Sequence, residues 1–269
     1  MKTFHRGASS GPAAAPLFAR AFFSLPLIWA TLMSAMLIPA AARAAAAAEP
    51  SPPWVEGVNY FLMRSPQTAN LPRGKVAVTE VFSYACPACN LFQPTMHKLI
   101  KSLPANAVVE YVPASFNAAE DWPMFQRAFY TAQVLGVAAK TQDSMFDAVW
   151  KSGELAVVDP QTGRIRSPVP TIEDAARFYA RVADVPVKRF LDTANSFPVD
   201  TDIGRAEQFV SAGPVDRTPT IVVAGKYRLH SESAGDRGDG ERIIALVTWL
   251  IAKESTAPAP APKGSPAAK

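Results

Sequence analysis

The two cysteines of this 269-residue chain stand together as Cys86-Pro87-Ala88-Cys89. Such a pair can form a structural disulfide, supply half of a metal site, or cycle between dithiol and disulfide. A bridge closing so short a loop restrains the unfolded chain little, about 2 kcal/mol by loop entropy, and tight geometry erodes even that. Structural zinc needs four ligands. No second cysteine pair exists, and of the three histidines His5 lies near the N-terminus while His97 and His230 lack ligand spacing. The pair therefore reads as one that is oxidised and reduced in turn.

The flanking residues say how it would be positioned. Lys75–Ser83 alternates, with Val76, Val78, Glu80 and Phe82 on one face and Ala77, Thr79 and Val81 on the other. That suits a strand covered on both sides. Pro87 suits the first turn of a helix running to about Leu103, with an apolar face of Leu91, Phe92, Thr95, Met96, Leu99, Ile100 and Leu103. Pro94 removes one of its backbone hydrogen bonds. A strand feeding Cys-x-x-Cys into a helix N-terminus sets the first sulfur on unpaired N–H groups, which stabilise a thiolate and lower the pKa of Cys86. Cys89, one turn inside, would be the shielded, resolving thiol.

The run Glu80-Val81-Phe82-Ser83-Tyr84-Ala85-Cys86-Pro87-Ala88-Cys89 resembles the active-site segment of DsbA-like thiol:disulfide interchange proteins. Arg217-Thr218-Pro219-Thr220-Ile221-Val222-Val223, followed by Ala224-Gly225-Lys226-Tyr227, is similar to that family's cis-proline loop, strand and hairpin. The resemblance covers residues 54–253 and implies an α/β thioredoxin fold, a central mixed sheet flanked by helices, with an inserted all-helical domain. It implies that Thr218–Pro219 is cis and faces the disulfide, where an extended substrate pairs with the backbone beside Pro87 and Ala88. It also implies a carboxylate buried below the helix at Glu80. Such a desolvated carboxyl has a raised pKa and can exchange protons with Cys89; the alternative is a carboxylate satisfied by a neighbouring lysine.

The chain departs from the family pattern at Ala88, where strongly oxidising members carry histidine. Without an imidazole beside the thiolate, a less depressed Cys86 pKa and a weaker oxidant are expected. Pro94 is similar to the proline that thioredoxin itself carries eight residues after its first cysteine.

The remaining elements follow from periodicity. A strand is expected at Ala107–Val112, then helices at Met124–Leu135, Thr141–Lys151, Thr171–Ala183 (capped by Thr171), Pro186–Asn195 and near Ile203–Ala212, with a loop at Gly153–Pro170. Glu241–Lys253 is an amphipathic helix closing the sheet. Trp122, Phe125, Phe129 and Trp150 are read as core. The expected division is thioredoxin domain at 54–117 and 200–254, inserted helices at 118–199, a flexible start at 45–53 and an Ala/Pro-rich tail at 255–269.

Residues 1–44 contain Lys2, Arg6, Arg20 and Arg43 and no acidic residue, so they account for the whole net charge of +4. The basic stretch, the apolar run Ala21–Ile38 and Ala42-Arg43-Ala44 fit a signal peptide cleaved after Ala44. The alternative is an uncleaved anchor, since the run approaches the ~18–20 residues that span a bilayer. Pro26 and Pro39 interrupt it. The rest balances 23 basic against 23 acidic residues, which removes the case for a nucleic-acid surface. The resemblance then implies a monomeric periplasmic enzyme that oxidises reduced, unfolded exported proteins. It would need no cofactor beyond the Cys86–Cys89 disulfide and would be reoxidised by a DsbB-like membrane quinone reductase. Its rivals are a reductase or isomerase kept reduced, and a non-catalytic peptide-binding chaperone.

Overall fold

The computed structural model describes residues 54–66, 71–235 and 239–256. The expected signal peptide, the flexible start and residues 257–269 of the expected tail lie outside those residues.

Strand β2 (Val76–Phe82) is buried at every position because it has neighbours on both edges and layers on both faces. On one side it runs parallel to β3 (Ala107–Pro113), and on the other antiparallel to β4 (Thr220–Val223). The hairpin strand β5 (Tyr227–His230) and the short β1 (Phe61–Leu62) complete a mixed sheet of order β1-β5-β4-β2-β3. The β4–β5 turn places both Ala224 and Gly225 at positive φ, 55° and 63°. Glycine accepts that conformation freely, whereas alanine occupies it at some cost.

Helix α1 (Pro87–Ser102) leaves the C-terminal end of β2 and packs with α7 (Gly240–Thr256) over one face of the sheet. Val78, Phe92, Met96, Leu99, Ile221, Leu229, Leu246 and Leu250 fill that layer. Val81 and Val222 point the other way, against Met63, Ala114 and Val215. The apolar face of α1 is narrower than its sequence suggests. Phe92, Met96 and Leu99 are buried, but Leu91 is 79% exposed and Ile100 40%, because α7 covers only one stripe of the helix. Pro94 is accommodated inside α1. Helix α7 continues to Thr256, so Ser255 and Thr256, expected in the tail, are helical.

Between β3 and β4 the chain forms a helical layer: α2 (Trp122–Val134), α3 (Ala138–Trp150), α4 (Ile172–Ala183), α5 (Val187–Ala194) and α6 (Phe197–Ala212). This is a thioredoxin fold carrying inserted helices. Thr171 caps α4 as expected, and does so in a reciprocal capping box with Asp174. Helix α6 starts six residues before the expected Ile203, and Gly204 sits within it. Val199 and Ala206 both join the helical core, so packing holds the helix together across that glycine. Trp122, Phe125 and Phe129 are core residues. The same core takes in Phe82, Tyr84, Ala85, Cys86 and Cys89 from the end of β2 and the start of α1. Among the described residues, no helix is long and apolar enough to cross a membrane.

Candidate active site

Cys86 is the N-cap of α1, with φ −82° and ψ 117°, and its Sγ accepts the Cys89 N–H at 3.3 Å. Pro87 occupies the first helical turn, where a missing N–H costs nothing. The turn into the helix is held by Ser83: its carbonyl accepts the Cys86 N–H at 3.2 Å and its Oγ accepts the Ala85 N–H at 3.2 Å. Pro87 and Ala88 are exposed, Cys86 is 5% exposed, and Cys89 is fully buried. Both cysteines are thiols in this structure.

Across from them the Thr218–Pro219 peptide is cis. The Thr218 carbonyl lies 3.6 Å from the Cys86 Sγ and accepts from the thiol. Two segments separated by 132 residues thus meet at one sulfur. Beside Ala88, a cleft of about 300 Å³ runs past Leu91, Phe92 and Thr95 to Ser231 and Ile243. Leu91, which the apolar pattern had assigned to the core, borders this cleft instead.

The two sulfurs are electrostatically unequal. The hydrogen bond from the Cys89 thiol, aided by the Thr218 side chain and the N–H groups of Cys89 and Ala88, brings Cys86 from 9.0 down to about 6 against the opposing effect of burial. Cys89 is pushed up, first by burial, then by its hydrogen bond to Cys86 and by the charges of Cys86 and Glu80. The sequence expectation of an ionisable first thiol and a shielded second one is what this geometry produces.

Glu80 is 0% exposed, and neither carboxylate oxygen has a hydrogen-bond partner, so no lysine satisfies it. Alternation places it on the face of Val78, in the sheet–helix layer, and of Phe82, in the helical core. Burial first, and then the charge of Cys86, push its pKa from 4.5 up to about 8.

Sequence reading missed what anchors the turn from behind. The Tyr84 hydroxyl donates to Gln142 Oε1 at 2.6 Å, and the Trp150 indole N–H donates to the Tyr84 carbonyl at 2.7 Å. Gln142 and Trp150 both belong to α3, about two turns apart, so one helix of the insertion grips the residue two before Cys86. Trp150 packs against the core as expected, and its indole N–H has this second role. No local pattern marks a contact across 58 or 66 residues.

A Cys-x-x-Cys at the N-terminus of the first sheet-crossing helix, faced by a cis-proline loop, defines a thiol:disulfide oxidoreductase of the thioredoxin-fold class. Comparison with known proteins narrows the class. The chain is 31% identical to the thiol:disulfide interchange protein DsbA of Burkholderia cepacia over 198 residues, 73% of this chain and 85% of that protein. It is likewise 31% identical to Pseudomonas aeruginosa DsbA over 204 residues, 76% and 87% of the two. A crystal structure of a Pseudomonas aeruginosa DsbA variant superposes with a TM-score of 0.64, covering 76% of this chain and 100% of that one. No protein-family model matches the chain. The chain belongs to the DsbA family of thiol:disulfide interchange proteins.

Proposed function

We propose that the protein is a periplasmic dithiol oxidase that donates a Cys86–Cys89 disulfide to reduced, unfolded exported proteins. The observation that carries this reading is the inequality of the two sulfurs, a first thiol at the N-cap of α1 brought down to about 6 beside a fully buried second thiol pushed up. A substrate thiolate attacks Cys86 Sγ, forming a mixed disulfide and releasing the Cys89 sulfur. Released bare into a buried site, that sulfur is a poor leaving group, because leaving ability falls as thiol pKa rises. Glu80, holding its proton up to about pH 8, is the donor that neutralises it. A second substrate thiolate then attacks the substrate sulfur, forming the substrate disulfide and expelling Cys86 as a stable thiolate. Two substrate thiols are oxidised and one enzyme disulfide is reduced. The backbone at Thr218 and Pro219, with Pro87 and Ala88 opposite, pairs the substrate chain alongside Cys86.

Reoxidation by a DsbB-like membrane quinone reductase completes the cycle and returns the Cys89 proton to Glu80. The basic and apolar segment of residues 1–44 supports export to the periplasm. Ala88 favours a second reading, a reductase or isomerase, because it supplies no charge to the thiolate. Equilibration of the mature protein with glutathione separates the two. A potential near about −180 mV or above supports the oxidase, whereas one near about −270 mV, the thioredoxin value, assigns the protein to reduction. Cys86→Ala abolishes oxidation of a reduced, unfolded substrate if the site is catalytic and leaves activity intact if the protein is a passive chaperone.

A further inference from the structure

His230 lies at the end of β5, directly opposite Thr220 of β4, and is 8% exposed. Its two ring nitrogens have different partners. Arg228 Nη1 approaches Nε2 at 3.3 Å, and Thr220 Oγ1 approaches Nδ1 at 3.0 Å. A guanidinium only donates, so Nε2 is the acceptor and the ring proton sits on Nδ1. That proton is donated to Thr220 Oγ1, whose own hydrogen is donated to the Arg217 carbonyl at 2.7 Å. The bonds form one directed chain, Arg228 to His230 to Thr220 to the Arg217–Thr218 peptide. It ends one residue before the Thr218 carbonyl that faces Cys86. Its first two members are restrained: the Arg228 guanidinium stacks 5.0 Å over Phe61, and the backbone N–H of His230 donates to Ser233 Oγ at 2.8 Å.

We propose that neutral His230 is the positioning residue of the cis-proline loop, and that protonating it releases the loop from its substrate-pairing geometry. The inference rests on the reading that Thr218 and Pro219 pair with substrate. A proton on Nε2 removes the acceptor that Arg228 needs and sets two cations face to face. The charged surroundings are Arg228 on the same strand, Arg217 and Asp216 before β4, and Glu232 after β5; Arg217 is itself paired with Glu232 at 3.2 Å and with Asp216 at 3.4 Å. Burial, followed by the positive charge of Arg217, favours the neutral ring. The loop is therefore held at neutral pH and released on the acid side of the ordinary histidine range.

The test compares two reductants of the oxidised protein, a reduced cysteine peptide and glutathione, from about pH 8 down to about pH 4. Their rate ratio cancels the titration of groups at the reacting disulfide and isolates loop pairing. In the native protein the ratio falls about fivefold on acidification, the worth of one buried hydrogen bond. His230→Gln, which keeps a donor and an acceptor but cannot titrate, retains the peptide preference and loses the acid fall. His230→Phe shows the low ratio at every pH. Ring nitrogen chemical shifts of the native protein report the Nδ1–H tautomer, a readout that survives if His230→Phe does not fold. An acid fall that persists in His230→Gln, a native ratio that does not fall, or an Nε2–H tautomer overturns the proposal. A native protein with no peptide preference at any pH overturns the substrate-pairing reading as well.

Discussion

Glu80→Gln should stabilise the reduced protein, by an amount that grows with pH. The carboxyl has no exposed atom and no hydrogen-bond partner, and its pKa rises from 4.5 to about 8 on folding. An acid with a raised folded pKa contributes nothing unfavourable below its unfolded value. Above that value it destabilises the fold increasingly, until the folded group also ionises. At pH 7 the unfolded carboxyl is ionised while the folded one keeps its proton, so folding must take up a proton across about 2.5 pH units. At 1.36 kcal/mol per unit the cost is about 3 kcal/mol. Gln is nearly isosteric and equally unpartnered there, so the substitution removes this cost and little else. Urea unfolding of both reduced proteins should show equal stability near pH 4 and a gain of about 3 kcal/mol for Glu80→Gln at pH 7, with unchanged m-values. The gain should shrink, without vanishing, in the oxidised proteins, because burial is the larger cause and the Cys86 charge the smaller. A gain that is the same at pH 4 and pH 7, or a Gln variant less stable than the native protein at pH 7, would refute the assignment of a buried, protonated Glu80.

Ala88→His should lower the Cys86 pKa below about 6 and raise the reduction potential, by about 30 mV per unit at a pH above both values; ultraviolet thiolate absorbance and glutathione equilibration measure the two, which must move together. Cys89→Ser given oxidised glutathione should retain a Cys86–glutathione mixed disulfide, seen as a mass increase: the Cys86 thiolate opens the glutathione disulfide and expels one glutathione thiolate, and the neighbouring thiol that would displace the second is gone. Phe82→Ala should cost about 3–5 kcal/mol in denaturant unfolding, since this fully buried ring packs within about 6 Å of Tyr84, Tyr111, Phe129 and Phe146.

The parts of the site within one segment were legible because local chemistry dictates them. Pro87 at a helix start, an alternating strand before it and two cysteines one turn apart define the thiolate environment within about 15 residues. Glu80 stood out as the charged residue of an apolar strand. The meeting of Thr218 with Cys86 became legible only through resemblance, because no periodicity relates segments 132 residues apart. Leu91 was misplaced for a different reason. A period of 3.6 marks the apolar side of a helix but does not say how wide a stripe its neighbour covers. The ends of α6 and α7 were set by packing against the helical core and the sheet, which overrides the weak local signals at Gly204 and Ser255.

The same packing explains why the inserted helices matter to the chemistry. The active-site turn belongs to two cores at once: Val78 lies in the sheet–helix layer, and Phe82, Tyr84, Cys86 and Cys89 lie in the core of the insertion. Glu80 sits between them on β2, where its carboxyl is dry and still coupled to both sulfurs. Helix α3 fixes that seam through Trp150 to the Tyr84 carbonyl and Gln142 to its hydroxyl, and crosses to α1 through His97 and Asp143 at 2.8 Å. If the helices only enlarged the protein, Trp150→Phe would cost about 1 kcal/mol of stability, the worth of one hydrogen bond, and leave the redox site unchanged. If they hold the turn, the freed Tyr84 carbonyl lets the N-cap of α1 relax, weakening the Cys89 thiol contact and the N–H contacts that lower the Cys86 pKa. The Cys86 pKa of Trp150→Phe should then rise above about 6 and the reduction potential should fall with it. A variant that loses stability but titrates like the native protein would return α3 to a purely architectural role.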